Sequence, residues 1–349
     1  MTFSLLKGLS RFKEFELFVV VLNSGKLSQK IQSLGIPVFI IEEHKYSFFK
    51  LVLQIKKIVQ HIAPDIVHSH RYKENLISFI NWKFHPGCRL IATQHGMPEE
   101  FGKNKIKAQM VNHFNFLLLS FGFDKMVVVS GDMKKKLIRK YGFNKNDIDV
   151  IRNGVGEVIA KAEIKDKKFV IGSAGRLSPI KDYPLLIEIA KAMVKVNDQV
   201  IFKLAGDGPE KSRLCHMVQR YGLEKQFEFL GQLEDMEAFY NTLDVYLNTS
   251  LHEGIPMTIL EAMARGIPVV APDVGGIREI IQDGADGFMV KERDASNFAE
   301  KCLYLCREKK VYRKMSICAV KKIEEKFTMH HMADQYYQLY LNKITAIDL

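Results

Sequence analysis

Tryptophan occurs once and cysteine five times in 349 residues. Cys88, Cys215, Cys302, Cys306 and Cys318 are odd in number and include no C-x-x-C pair. That argues against a disulfide framework or a zinc ribbon and for reduced thiols. Long apolar runs are also missing. The densest, Phe15 to Leu22 and Phe114 to Phe123, are interrupted by charge, Asn or Ser well short of the roughly 18 residues a membrane span needs. No basic segment leading into an apolar stretch and a small-residue cleavage site opens the chain, so a cytoplasmic location is expected. Neither a G-x-x-x-x-G-K-[ST] loop, a zinc-finger spacing nor an RRM string is present, which leaves a P-loop ATPase and a nucleic-acid partner unsupported.

What remains is ordinary globular composition, 47% hydrophobic and 26% charged, in a chain long enough for two or three domains. Short apolar runs alternate with helical patterns, as in parallel-sheet α/β architecture. The patterning predicts strands at Glu16–Leu22, Val38–Ile41, Ile66–Ser69, Leu90–Thr93, Met126–Val129 and Asp149–Ile151. A second series follows at Phe169–Ser173, Val200–Leu204, Phe227–Leu230, Val245–Asn248, Pro268–Val270 and Gly287–Val290. The polar stretch Ala160 to Lys168 reads as a linker, which sets two doubly wound domains at residues 1–160 and 161–328. A C-terminal helix over 329–349 is a candidate to return to the first domain. In such sheets ligands bind beyond the carboxyl ends of the strands, so a cleft between the domains is the expected site.

The net charge of +11 is not spread evenly. Residues 1–160 carry 24 basic and 13 acidic side chains, and the remainder is balanced. Clusters such as Lys103, Lys105, Lys107 and Lys134, Lys135, Lys136, Arg139, Lys140 make the first half a candidate surface for anions. An anionic membrane surface fits better than nucleic acid. Phe48 to Ile62 and the apolar stretch near Phe114 could lie against lipid, although buried helices have the same pattern.

Chemistry is concentrated in Ser250 to Gly276, SLHEGIPMTILEAMARGIPVVAPDVGG. Pro256 suits a first helical position, where its missing N–H would be unsatisfied anyway. The free N–H groups around Ile255, Met257 and Thr258, beside Gly254, would then form an anion site suited to a diphosphate. Glu253 and Glu261, eight positions apart, would lie about 12 Å apart at 1.5 Å per residue. That separation suits gripping two ends of a long ligand rather than sharing a proton. His68 and His70 flank Ser69 and suggest a metal only if a third ligand joins them. Asp147 and Asp149 form a D-x-D in a position that does not suit a metal-sugar site.

This string resembles the E-x7-E element of the retaining GT-B glycosyltransferases of the glycogen-synthase-like group, family four, and the resemblance extends over nearly the whole chain. It implies a GT-B fold, two doubly wound Rossmann-like domains facing across a cleft. It further implies Glu253 at the hydroxyls of the transferred sugar and Glu261 at the nucleotide ribose. Arg176, in Gly175-Arg176-Leu177, and Lys181, in Lys181-Asp182, resemble the family's paired cations for the diphosphate. Gly206-Asp207-Gly208-Pro209 matches its strand-end turn, Phe229-Leu230-Gly231 the segment whose backbone reads the base, and Gln94-His95-Gly96 a strand end that places His95 near the donor sugar. Arg152 and Gly156 around Asn153-Gly154-Val155 depart from the family's proline and aspartate.

A larger departure is at the start. Family members open with a strand and a glycine-rich loop, whereas Met1 to Phe12 reads as the helix that follows them. A start assigned late is the favoured explanation over a degenerate copy.

The implied function is a retaining, metal-independent hexosyltransferase without a cofactor. It would use a nucleotide diphosphate donor, UDP-linked for preference, and a glycan or lipid-linked acceptor, in surface polysaccharide assembly at the inner membrane face. A GT-B-shaped nucleotide-sugar epimerase and an inactive membrane-surface partner subunit are the alternatives.

Overall fold

The computed structural model describes residues 1–82, 87–97, 105–156, 158 and 168–344. They form two compact units, Met1–Gly154 with Met329–Leu349, and Val155–Thr328. Each is a Rossmann-like α/β unit with parallel strands. Apart from Lys168, the stretch expected as a linker lies outside the described residues. The division falls between Gly154 and Val155, because the Val155 N–H already donates to the Phe327 carbonyl of the second unit, at 2.8 Å.

The first unit runs α1 (Thr2–Leu9), β1 (Val19–Val21), α2 (Lys26–Gln32), β2 (Val38–Ile40), α3 (Phe48–Ile62), β3 (Ile66–Ser69), α4 (Tyr72–Trp82), β4 (Arg89–Gln94), α5 (Lys105–Gly122), β5 (Lys125–Val128), α6 (Gly131–Tyr141) and β6 (Ile148–Val150). β1 pairs with β2, and β3-β4-β5-β6 form a four-stranded sheet, all in parallel. Local chemistry sets the helix ends. Ser130 caps α6 by accepting from the Met133 N–H at 3.2 Å, and Gly142, at φ 70°, ends it in the left-handed region. β1 is shorter than the expected Glu16–Leu22 because Leu17 packs into the core, as Phe15 does just before those bounds, instead of pairing.

The second unit continues with β7 (Phe169–Ala174), α7 (Tyr183–Val194), β8 (Val200–Ala205), α8 (Lys211–Arg220), β9 (Phe227–Gly231), α9 (Met236–Asn241), β10 (Val245–Leu247), α10 (Met257–Met263), β11 (Val269–Pro272), α11 (Ile277–Ile280), β12 (Gly287–Val290), α12 (Ala295–Arg307) and α13 (Lys309–Lys326). Its sheet order is β12-β11-β10-β7-β8-β9, parallel throughout. Strands buried on both faces explain the near-continuous apolar runs: Val245, Tyr246 and Leu247 are fully buried. From β7 the chain winds one way through β8 and β9, and from β10 it winds the other way. The switch point is therefore between β7 and β10, where a doubly wound sheet opens a crevice at its carboxyl edge.

After Thr328 the chain returns to the first unit as α14 (Met329–Ile344), which packs against α1. Leu5 and Leu9 meet Met332, Ala333, Tyr336 and Tyr340 over the sheet residues Ile91 and Val127. The helices cross closely at Gly8, where an added Cβ would stand 2.6 Å from that of Ala333. Arg11 and Asp334 add an ion pair at the rim.

Candidate functional site

Two loops leave the second sheet side by side at the switch point. The loop after β7 carries Gly175, Arg176 and Lys181, and the loop after β10 carries Asn248 to Pro256. Backbone bonds tie the first loop to the turn after β8: Gly175 N–H donates to Ala205 at 3.0 Å and Leu177 N–H to Asp207 at 2.9 Å. Gly206 lies at φ 132°, and a Cβ there would be 1.9 Å from the Gly175 carbonyl oxygen. Only glycine allows this approach. The Gly206 N–H in turn donates to Gly231 at the end of β9, next to the half-buried Leu230.

The two switch-point loops are joined to each other. Leu251 N–H donates to the Ile180 carbonyl and Thr249 Oγ1 to the Lys181 carbonyl, both at 2.8 Å. The Lys181 ammonium lies 2.6 Å from Glu253 Oε1, which also accepts from Ser250 Oγ at 2.6 Å and from Asn248 Nδ2 at 3.5 Å. Glu253 is thus gathered with Lys181, while Arg176, one loop turn away, is exposed and makes no side-chain pair among the described residues. From behind, the Gly276 N–H donates to the Glu253 carbonyl, and Gly275 passes so close that a Cβ would be 2.1 Å from that oxygen.

Gly254, Ile255 and Pro256 are buried and lead into α10. Pro256, expected at the first helical position, stands one place earlier as the N-cap, with an extended ψ of 118°. Its carbonyl takes the first helical bonds, from Ile259 and Leu260. Met257 and Thr258 form the first turn. Glu261 has partners of its own: Tyr240 donates to its Oε2 at 2.7 Å, and Arg265 lies over the Tyr240 ring. Burial raises the Glu261 carboxyl above its ordinary value, and the Tyr240 hydrogen bond offsets part of that rise. Ser250, Asn248 and Tyr240, missed in the sequence, join Lys181 as partners of the two glutamates. Only Ser250, inside the informative string, carried a signal.

His95 belongs to the first unit, at the end of β4. Its Nε2 lies 3.1 Å from His70 Nδ1, at the end of β3. Below them His68 spends both ring nitrogens, on Tyr340 at 2.6 Å and Thr93 at 2.8 Å, and Thr93 meets Tyr336 at 2.8 Å. A metal would need those nitrogens free, and among the described residues no group of His, Cys, Asp or Glu is arranged to hold one. Burial lowers all three imidazoles, His68 to about 3 and His95 to about 4. They are neutral at pH 7 and present hydrogen-bonding rather than charge.

Residues 156–322 match the family model "Glycosyl transferases group 1" and residues 1–156 match "Glycosyltransferase Family 4". The UDP-Gal:alpha-D-GlcNAc-diphosphoundecaprenol alpha-1,3-galactosyltransferase of Escherichia coli is 24% identical over 351 aligned residues, covering 95% of this chain and 90% of its own. The N,N'-diacetylbacillosaminyl-diphospho-undecaprenol alpha-1,3-N-acetylgalactosaminyltransferase of Campylobacter jejuni is 23% identical, covering 96% and 93%. Among solved structures, Anabaena HepE in complex with UDP-glucose superimposes with a TM-score of 0.83 at 21% identity, over 97% of this chain and 95% of that one. The likeness is to a GT-B structure, in agreement with the expected fold class.

Proposed function

We propose that this chain, matched from residue 1 to 322 by two glycosyltransferase models, is a retaining, metal-independent hexosyltransferase that takes its sugar from a nucleotide diphosphate donor, UDP-linked. Relatives whose names specify a UDP-sugar donor or undecaprenol-diphosphate acceptors support the substrate classes. The observation that carries the reading is the Lys181–Glu253–Ser250 cluster at the β7/β10 switch point, with Arg176, unpaired among the described residues, on the same loop as Lys181.

In this reading Arg176 and Lys181 stabilise the charge that gathers on the departing diphosphate, held further by the backbone N–H groups of Gly254, Met257 and Thr258, while Gly175 and Gly206, whose N–H groups are spent on Ala205 and Gly231, let the backbone pass close to it. Glu253 grips the sugar hydroxyls and Glu261 the ribose, while the backbone at Leu230 reads the base. His95 offers a neutral imidazole to the donor sugar. The bond from the anomeric carbon to the phosphate oxygen breaks while the acceptor oxygen bonds to that carbon on the same face. The acceptor proton passes to the leaving phosphate oxygen, so no protein nucleophile and no cofactor is used. The cations supply charge stabilisation without a divalent ion, and orientation of donor and acceptor supplies the remainder.

The acceptor is a glycan or lipid-linked glycan of surface polysaccharide biosynthesis, met at an anionic membrane surface. No helix among the described residues is long and apolar enough to cross a membrane. α5 nonetheless exposes Met110, Phe114, Leu117 and Phe121, spaced along one helical face, with Phe121 86% exposed. On α3, Phe49 and Leu53 are exposed beside Lys50, Lys56 and Lys57. Apolar side chains flanked by lysines complement an anionic lipid surface.

Released nucleotide, measured across UDP- and GDP-sugars with lipid-linked acceptors, tests the reaction. Release of neither UDP nor GDP would remove the proposal. Sedimentation with anionic and neutral vesicles, at low and high salt, tests the membrane: salt-sensitive binding to the anionic vesicles alone is expected.

A further inference from the structure

Asp182, directly after Lys181, occupies the N-cap of α7 with φ 49° and ψ 48°. Both features are unusual. A left-handed backbone costs a non-glycine residue on the order of 1 kcal/mol, though Asp tolerates it better than most. An N-cap aspartate ordinarily accepts from the first helical N–H groups, and this one makes no such bond. Its carboxylate turns instead to Arg293, 2.7 Å away and 111 residues later in the chain.

Arg293 follows β12, and its backbone is anchored by the next residue: Asp294 caps α12 by accepting from the Asn297 N–H at 2.9 Å. The guanidinium, on a half-buried side chain, donates to three acceptors. Besides Asp182 Oδ2 these are the backbone carbonyls of Thr249 and Ser250, each at 2.8 Å. Thus one planar fork spans the loop that carries Lys181 and the loop that carries Glu253. An ammonium of the same charge could not reach all three in fixed geometry.

We propose that Arg293 is a positioning residue for the nucleotide-diphosphate site: by holding Asp182 left-handed and the Thr249–Ser250 turn against it, Arg293 fixes where Lys181 projects. This rests on the reading of Lys181 as a diphosphate contact. Without the guanidinium, Asp182 is free to leave its strained conformation, and the Lys181 side chain loses its aim although its charge is intact. Because Arg293 acts through Lys181, its effect on ligand affinity depends on Lys181 being present.

Calorimetric titration of the full chain with UDP, and with GDP in parallel, tests this in a cycle of wild type, Arg293→Met, Lys181→Ala and the double variant. Arg293→Lys and Asp182→Asn serve as milder variants, and circular dichroism checks folding. Arg293→Met is expected to weaken binding about tenfold. Arg293→Lys and Asp182→Asn should weaken it severalfold. Each change should then have less than about a twofold effect in the Lys181→Ala background, the coupling that a cycle measures.

A merely structural arginine would weaken binding equally with and without Lys181. That additivity, or unchanged affinity in Arg293→Lys and Asp182→Asn, overturns the inference while leaving the transferase reading in place. A wild-type chain that binds neither nucleotide, or a Lys181→Ala variant that binds as wild type does, overturns the diphosphate reading and the inference with it.

Discussion

The Lys181 ammonium and the Glu253 carboxylate meet at 2.6 Å, with Ser250 donating to the same carboxylate oxygen. The glutamate is the less exposed of the two, 11% against 24%, so its charge depends on these partners more than on water. A diphosphate arriving at Lys181 would draw the cation toward itself and leave Glu253 free to accept from sugar hydroxyls. Glu253→Ala should therefore abolish transfer with only a modest loss of nucleotide affinity. Steady-state transfer rates beside a UDP titration check this, and a large affinity loss with residual transfer would reverse the assigned role.

Arg176 offers the opposite case. It is exposed and unpaired among the described residues, so its removal leaves no buried group without a partner. Arg176→Ala is expected to keep the wild-type melting temperature within about 1–2 °C, as surface substitutions usually do. UDP affinity should fall roughly ten- to hundredfold and transfer should fall with it, since one charge-assisted contact to a phosphate is worth roughly 1.5–3 kcal/mol. Unchanged affinity would take Arg176 out of the diphosphate site.

Gly206→Ala tests how the switch-point loops are spaced. The new methyl would fall 1.9 Å from the Gly175 carbonyl oxygen, on a backbone at φ 132°, so the two loops must part. A loss on the order of 2–4 kcal/mol in unfolding free energy is expected, from the steric clash and the strained dihedral together. Nucleotide binding should drop more than for Gly222→Ala, where an added Cβ meets nothing within 4 Å. Equal effects at the two glycines would mean that the Gly175–Gly206 approach does not matter to the ligand.

Much of the fold could be read directly because parallel strands are continuous apolar runs. Ile66–Ser69 and Gly287–Val290 fall at the expected bounds. Periodicity failed where an apolar residue serves helix packing rather than pairing. Leu17 extended the expected first strand, yet it packs, with Phe15 before it, into the core to which α14 contributes from more than 300 positions away in the chain. The site was partly legible for the same reason. Glu253, Gly254 and Pro256 stand in one local string, whereas Asp182 with Arg293 and Tyr240 with Glu261 are partners that only the strand order brings together. Arg293 carried no signal, since an arginine between a strand and a helix is ordinary surface chemistry until its three acceptors are seen.

The three imidazoles of the first unit make its stability sensitive to acid. His68 is lowered to about 3 and His95 to about 4 by burial, with His70 lowered as well. Around them stand Tyr336, Tyr340 and the Arg71 guanidinium, which adds positive charge at His95. In the unfolded chain each histidine binds a proton near pH 6.5, so between about pH 6.5 and 4 the unfolded state holds more protons than the folded one. Stability must then fall as pH falls through that window, by up to about 1.4 kcal/mol per pH unit for each histidine that stays neutral. Urea unfolding of the full chain from pH 7.5 to 4.5, monitored by circular dichroism, should show this fall. His95→Asn should show a shallower one, with its difference from wild type shrinking or changing sign at the acid end. Parallel curves for the two proteins across the window would mean that His95 takes up its proton as readily in the folded chain as in the unfolded one, so that burial does not hold its imidazole neutral.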